Sequence, residues 1–427
     1  MNVPNRAASV APPPIFSRLR FQIGGGLIFS VMLPYLIYAL VWQNQPLSLS
    51  QYYPLLGGSI GLILGTWFQR GLTNFPGVEE SSNIVTCFAL SFGLVAAAFL
   101  LGRFDYSRFL LTAIFAMTLM WVYILYFLSQ KRRQLRIGII PLGKTRVLQA
   151  IDGIEWLPIT DPEQAVTGLN AVTVDLRSDI PDEWDRRVAD FALSGIPVYH
   201  VKHLLESLTG RVELEHLSEN AFGALGPPQA WLNAKKLFDR VSALLAFVVL
   251  ALPLGVVATA IRFDSKGPAF FRQARMGYGG IPFFVLKFRT MQVETGLAGG
   301  GIDDAMTQDS DPRITRLGRY LRRTRIDELP QMINILLGQM SWIGPRPEAL
   351  ILSDLYEARI PFYRYRHVVY PGISGWAQVN QGHVTSVDDV QEKLHYDFYY
   401  IKHFSPWIDL LIVARTIRTV LTGFGAR

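Results

Sequence analysis

The sequence predicts a membrane protein of mixed α + α/β class in three successive parts, and three observations carry that expectation. Four long apolar runs fill the first third of the chain: Phe21 to Trp42, about Tyr52 to Phe68, Ile84 to Leu101 and Phe109 to Leu128. The hydrophobic pattern then changes to brief runs separated by a helical stretch. Further on, a fifth apolar segment, Leu237 to Ile261, is basic at both ends. Composition agrees, with 50% hydrophobic residues and a formal net charge of +7. That charge favours anionic partners: phosphates, anionic lipids or nucleic acid.

Each of the first four runs has roughly the ~20 residues that a bilayer-spanning helix needs. A cleaved signal peptide would have a shorter apolar core and a small-residue cleavage site. Arg6, Arg18 and Arg20 precede the first run, and Lys131, Arg132, Arg133 and Arg136 follow the fourth. These basic flanks place both ends of the four-transmembrane-helix unit, residues 1–130, in the cytoplasm. The one cysteine, Cys87, sits inside an apolar run and reads as a small core hydrophobe. Disulfides and thiolate metal sites are thereby excluded.

Residues 131–228 read as a soluble α/β unit. Short runs (Ile137 to Ile140, Ala171 to Leu176, Ile196 to Val201) alternate with the helical stretch Asp182 to Ser194, the pattern of a small parallel sheet with crossover helices. Gly138 to Thr145, GIIPLGKT, formally fits the P-loop spacing. A P-loop follows a strand, however, and here Gly138 lies inside the only candidate strand. The GxGxxG of a dinucleotide fold is absent too, so the unit reads as a degenerate Rossmann-like domain. Gly226-Pro227-Pro228 marks its end.

The third part, residues 229–427, opens with the fifth apolar segment. Lys235, Lys236 and Arg240 precede it, and Arg262, Lys266, Arg272 and Arg275 follow it. A spanning helix would carry one of these clusters across the membrane. Pro253 in mid-segment removes a helix hydrogen bond and bends the axis. A re-entrant helix over about 237–261, broken at Pro253, satisfies both facts; a plain fifth span is the alternative. Near the end, Trp407 to Leu421 reads as an amphipathic surface helix.

Chemistry concentrates between Arg313 and Pro347. Six arginines (Arg313, Arg316, Arg319, Arg322, Arg323, Arg325) run without an intervening acid into the pair Asp327-Glu328, followed by Pro330. Proline belongs in a helix's first turn, so a helix is expected from about Asp327, with both carboxylates at its N-terminus where the dipole favours negative charge. Beside Arg322 and Arg325, Asp327 is expected to keep a low pKa and act as an ionised nucleophile. Glu328 is suited to hold a hard cation such as Mg²⁺. Spacing alone does not separate this reading from a plain helix cap. Lys287 and Arg289 at a strand end suit a phosphate clamp or a solvated edge equally. Gly344-Pro345-Arg346-Pro347 is a stiff turn presenting one arginine, and Arg364 and Arg366 precede a second stiff loop, Tyr370 to Trp376. His395 and His403, near Asp397 and Tyr400, read as structural histidines. Nothing resembles a nucleic-acid readout module, so no nucleic-acid partner is expected.

Seven segments occur in a telling order: Lys235-Lys236-Leu237-Phe238-Asp239; Lys266-Gly267-Pro268 with Gln273 and Arg275; Lys287-Phe288-Arg289-Thr290-Met291; Asp311-Pro312-Arg313-Ile314-Thr315; Asp327-Glu328-Leu329-Pro330-Gln331; Gly344-Pro345-Arg346-Pro347; and Pro371-Gly372-Ile373-Ser374-Gly375. Together they resemble the bacterial sugar transferase family, the monotopic polyprenyl-phosphate phosphoglycosyltransferases. The four N-terminal runs and the middle domain are similar to its large form. The resemblance implies that sugar-1-phosphate passes from a UDP-sugar to undecaprenyl phosphate through a phosphosugar on Asp327, releasing UMP and initiating a surface polysaccharide. It implies that Glu328 holds Mg²⁺ and that Pro253 breaks the re-entrant helix, although Leu252 stands where members often have Ser. The candidate phosphate- and substrate-binding residues are then Lys287, Arg289, Arg313, Arg322, Arg325, Arg346, Arg366 and Gln378. Lys235, Lys236 and Arg240 form the membrane-face basic cluster. The expected setting is the bacterial inner membrane, with the C-terminal domain on the cytoplasmic face among membrane lipids, and a homodimer is a candidate assembly. The competing reading is a membrane-anchored nucleotide-sensing scaffold that binds its ligand through Gly143-Lys144-Thr145.

Overall fold

The computed structural model describes residues 16, 18–41, 49–72, 80–130, 135–212, 227–292, 313–381 and 387–422. Lys131 to Arg133, Gly226 and Asp311-Pro312 lie outside them. The chain divides into two compact units, Met1–Gly210 and Arg211–Arg427.

The first unit begins with a helix, α1, that runs as Leu19–Gly26, a π-helical stretch Leu27–Met32, and Leu33–Val41. Three more helices follow: α2 (Leu49–Leu72), α3 (Glu80–Leu101) and α4 (Arg108–Gln130). The apolar runs thus become helices. Four described helices are long and apolar enough to cross a membrane: Leu19–Leu40, Asn83–Leu101, Arg108–Leu128 and Gln229–Asp264. The second expected span, α2, has the length but falls outside that set, because glycines replace larger apolar side chains on it. Those glycines serve packing instead. A Cβ on Gly57, Gly61 or Gly65 would fall 2.5, 2.8 and 2.4 Å from Phe99, Phe92 and Phe88 respectively. The i, i+4 stripe therefore lets three phenylalanines of α3 lie directly on the α2 backbone, the small-residue contact by which membrane helices associate.

A four-stranded parallel sheet completes this unit, in the order β2-β1-β3-β4: β1 (Leu135–Ile139), β2 (Ile154–Pro158), β3 (Ala171–Val174) and β4 (Val198–His200). Helix α5 (Asp182–Leu193) connects β3 to β4, and α6 (Val201–Thr209) follows. The connection from β1 to β2 is a 3-10 stretch, Thr145–Ala150, rather than the expected crossover helix. Ile140, Val172, Val174, Trp184 and Phe191 pack in one core, and Ile137, Leu148, Ala171 and Leu204 in another.

In the second unit α7 (Gln229–Asp264) is a single helix of 36 residues with Pro253 inside it. Its exposed apolar positions include Leu244, Leu245, Val248, Val249, Leu252 and Val256. An antiparallel hairpin follows, β5 (Phe270–Met276) and β6 (Pro282–Phe288), in a register from Phe270–Phe288 to Met276–Pro282. Next come α8 (Arg316–Arg323), a 3-10 turn Ile326–Gln331, and α9 (Met332–Leu336). β7 (Ser341–Ile343) pairs in parallel with β8 (Gly372–Ser374), with α10 (Leu350–Arg359) and the 3-10 turn Tyr363–Val368 between them. Short α11 (Trp376–Asn380), then α12 (Val387–Lys402) and α13 (Pro406–Thr422) close the chain. Toward its start α7 packs Ala243 among Phe283, Val285, Ile335 and Met340; toward its end it packs Ile261 among Ala269, Phe288 and Leu321.

Candidate active site

The site forms where α8, the turn after it, the end of β6 and the turn before α10 converge. Thr315 caps α8 by accepting the Gly318 N–H at 2.9 Å. The helix runs out at Thr324, and Arg325, at φ 55° and ψ 20°, reverses the chain in the left-handed region that side chains other than glycine rarely adopt. The 3-10 turn begins at once, so Asp327 and Glu328 do stand in a first helical turn. That turn and α9 are both short, however, and the macrodipole expected behind the pair is correspondingly weak. Side chains supply most of the field.

Asn334 fixes the turn against the hairpin. Its Nδ2 donates to Phe284 O at 2.7 Å and its Oδ1 accepts the Leu286 N–H at 3.0 Å. This staple sets Lys287, the next residue on β6, beside Glu328. A lone Asn in the apolar run Met332 to Leu337 was the sequence signal for it, and spacing arguments passed over it.

Glu328 is clamped. Arg346 Nη2 donates to its Oε1 at 2.6 Å, and Lys287 Nζ lies 3.4 Å from the same oxygen. Its Oε2 has only looser neighbours, Arg346 Nη1 at 3.5 Å and Arg325 Nη1 at 3.8 Å. The side chain is 8% exposed, and Arg346 and Lys287 hold its carboxyl far below the usual range despite burial. Asp327 is different. It is partly exposed and makes no ion pair with the described residues. Its pKa moves up, not down as expected: burial and the adjacent Glu328 outweigh the pull of Lys287, Arg322 and Arg346. Lys287 itself is pushed down to about 8 by burial. Arg322 is aimed by Thr290, whose Oγ1 accepts its Nε–H at 2.9 Å.

Of the expected phosphate binders, Lys287, Arg322, Arg325 and Arg346 gather around the pair, and others lie elsewhere. Arg289 is buried and caps the end of α7, donating to Lys266 O at 2.9 Å and to Ser265 O at 2.6 Å. Arg366 is buried beneath the turn that carries Arg346, paired with Asp397 Oδ2 at 2.8 Å. Arg313 lies at the bridge between Met291 and Ile314, where its carbonyl accepts the Gln292 N–H at 2.9 Å. Gln378 is half-buried, donating to Ile373 O at 3.3 Å, and its buried Oε1 has no hydrogen-bond partner among the described residues. Lys235 is no membrane-face cation. It is buried, 2.9 Å from Asp409 Oδ2, because this side of α7 faces α13. Lys236 lies over the Tyr370 ring, which stacks on Tyr278, while Arg240 is exposed. Pro253 is exposed on α7. His403 is pushed down to about 4 by burial, next to Tyr399.

In the sheet of the first unit, the loops after β1 and β3 meet at the point where nucleotide-binding sheets hold phosphate. Asp175 is there instead. Its Oδ2 accepts the Lys144 N–H at 3.0 Å and its Oδ1 the Arg177 N–H at 3.1 Å. Gly138 lies inside β1, as the sequence indicates.

Comparison with known proteins bears on the whole chain. Residues 230–423 match the family model described as bacterial sugar transferase. Over 375 residues the chain is 40% identical to a UDP-N-acetylgalactosamine-undecaprenyl-phosphate N-acetylgalactosaminephosphotransferase of Aeromonas hydrophila, covering 87% of this chain and 88% of the relative. It is 45% identical over 190 residues to a UDP-glucose:undecaprenyl-phosphate glucose-1-phosphate transferase of Caulobacter vibrioides, 44% of this chain and 70% of the relative. An exopolysaccharide production protein PSS of Rhizobium leguminosarum is 40% identical over 196 residues, which are 45% of this chain but 96% of the relative.

Proposed function

The chain belongs to the bacterial sugar transferase family, as a polyprenyl-phosphate sugar-1-phosphate transferase, and from that premise we propose a two-step reaction centred on Asp327. The donor is a UDP-sugar and the acceptor undecaprenyl phosphate, the substrate classes in the relatives' names. A carboxylate oxygen of Asp327 attacks the β-phosphorus of the donor. The bond from that phosphorus to the bridging oxygen breaks, UMP leaves with the electron pair, and the phosphosugar stays on Asp327 as an acyl phosphate. A phosphate oxygen of undecaprenyl phosphate then attacks the same phosphorus. The aspartate leaves as a carboxylate, and the product is the lipid-linked sugar diphosphate that begins a surface polysaccharide.

One observation carries this reading above all: the two acids are not equivalent. Glu328 is neutralised by Arg346, Lys287 and Arg325, whereas Asp327 has no ion pair among the described residues and is partly exposed. A nucleophile has to be unencumbered, and a raised pKa makes its ionised form more nucleophilic. Lys287, Arg322 and Arg346 supply fixed positive charge for the phosphates and for the charge developing on UMP. A covalent intermediate lets one pocket serve a soluble dianion and then a membrane lipid in turn.

The residues fit Mg²⁺ in one arrangement. Among the described residues no three acidic, His or Cys side chains converge, so a resident cage is not on offer. Mg²⁺ on phosphate substrates commonly takes one or two carboxylates and completes its sphere with phosphate and water. Glu328 Oε2, held more loosely than Oε1 at 3.5 and 3.8 Å, is the oxygen that would take part in this. When bound, the ion offsets negative charge on the diphosphate.

Re-entry of α7 at the membrane face is part of the proposal. Ala243 and Ile261 would stand about 27 Å apart in a straight helix, close to the ~30 Å of a bilayer's apolar core. Yet both pack against one β5–β6 hairpin, while most of the large apolar side chains between them, Leu244, Leu245, Val248, Val249, Leu252 and Val256 among them, are exposed. This supports a helix that enters one leaflet, bends at Pro253, and keeps both ends on the cytoplasmic side. The scaffold reading finds less support, since Asp175 already takes the N–H groups a phosphate would need.

The test is Asp327→Asn. Turnover is expected to fall by about 10³-fold or more, with neither UMP release nor a phosphosugar adduct in the intact mass. Undiminished turnover would remove Asp327 from the nucleophile's role.

A further inference from the structure

We propose that Asp397 is a positioning residue for the transfer reaction, acting on Arg346 through the buried guanidinium of Arg366. The inference rests on the assignment of Arg346 to the donor's phosphates.

Arg346 stands on a proline-flanked turn, so its reach toward Glu328 and the donor depends on how that turn is held. Arg366 holds it from beneath. Its Nη2 donates to the Arg346 carbonyl at 2.9 Å and lies 2.8 Å from Asp397 Oδ2. Its Nη1 donates to Tyr363 Oη at 2.7 Å and lies 3.8 Å from Glu348 Oε1. From the hairpin, Arg275 Nη1 donates to the next carbonyl, Pro347 O, at 2.6 Å, while Gln273 Oε1 fixes its other nitrogens at 3.1 and 2.6 Å. Two successive carbonyls are thus gripped by two guanidiniums from different elements. A guanidinium does this better than an ammonium, because its rigid fork sets both direction and distance.

Arg366 carries a buried charge that needs a compensating anion. It is 3% exposed, and Asp397 is 2% exposed. A charge buried at that depth is costly unless paired. Asp397 sits in an aromatic run, Tyr396-Asp397-Phe398-Tyr399-Tyr400, on α12. One turn earlier, Lys393 reaches Glu348, the residue that ends the turn. α12 therefore presents Lys393 and Asp397 as an i, i+4 pair that locks the Arg346 turn. Among the described residues Asp397 reaches Arg346 through Arg366, so its effect on the reaction is indirect and identifiable as such.

The experiment is a double-mutant cycle on the full chain: wild type, Asp397→Asn, Arg346→Lys and the double variant. UMP release from a UDP-sugar and undecaprenyl phosphate gives kcat and KM for the donor, and thermal unfolding is followed in parallel. Asp397→Asn is expected to lower kcat/KM by about 10- to 100-fold, the scale of a displaced substrate-positioning group. In the Arg346→Lys background it should cost nothing further, because the group it positions has already been altered. Equal fold losses in both backgrounds would overturn the inference and leave Asp397 a purely structural residue. Wild-type activity in Arg346→Lys would overturn the phosphate assignment of Arg346 and the inference together. Should Asp397→Asn fail to fold, Arg366→Lys retains the buried charge, loses the fork, and must show the same non-additivity; additivity there overturns the proposal equally.

Discussion

At the scale of single residues, the site is an asymmetry between neighbours. Asp327 and Glu328 share a backbone turn, yet burial and the adjacent Glu328 raise the pKa of the first carboxyl, while direct contact with Arg346 and Lys287 strongly lowers that of the second. A pH dependence follows. In the proposed reaction the nucleophile must be ionised, so the rate is expected to rise with pH through the Asp327 pKa, which is raised above the ordinary aspartate value. Lys287 loses its proton as pH rises through about 8, and its charge is then lost to Glu328 and to the donor phosphates. UMP release should therefore show a bell-shaped profile with an alkaline limb near that value. In Lys287→Arg the alkaline limb is expected to move upward, since guanidinium stays charged. An unmoved limb would assign it to another group.

Elements bring these residues together through close backbone contact. α8 seats on the strand end that carries Thr290: the Thr315 N–H donates to Thr290 O at 3.1 Å, and a Cβ on Gly318 would fall 2.1 Å from that same oxygen. Thr290 also aims Arg322, so the seat of α8 is coupled to the position of that guanidinium. Gly318→Ala should lift α8 from Thr290. It is expected to cost about 1–3 kcal/mol of stability, as overpacking does, and to raise KM for the donor as Arg322 moves. Denaturant melts and steady-state kinetics check both, and an unchanged KM alongside lost stability would uncouple Arg322 from the helix seat. The apolar runs and the strands at Ile137, Ala171 and Ile196 were legible in the sequence because helix and strand periodicities are local. The helix start near Asp327 was legible too, from Pro330. Its short 3-10 character was not, because it depends on the left-handed Arg325 and on the Asn334 staple.

For the whole molecule, the family match falls on the C-terminal part, residues 230–423. The proposed membrane contact there rests on α7, which is long and apolar enough to cross a membrane. Its ends are accessible at Asn233 and Lys266, and the native Cys87 is buried. Single cysteines at these two positions should both react with an impermeant maleimide from the cytoplasmic side of oriented vesicles. Labelling of either one only from the opposite side would replace re-entry with a plain span.

The sequence by itself determined the coarse class of the molecule, a membrane protein with a parallel sheet, and the family, and it singled out the acid pair. Each of these is written in local periodicity or in short ordered motifs. Tertiary structure alone decided which cations serve the pair. Lys287 and Glu328 are 41 positions apart, and Arg346 and Glu328 18 apart. Arg289, two residues from Lys287, turns instead to the end of α7, and Lys235 turns to Asp409. An arginine or lysine looks alike in any charged segment. Its partner, and with it the sign of every pKa shift in the site, is set by which strand ends and turns the packed core brings within a few ångströms of one another.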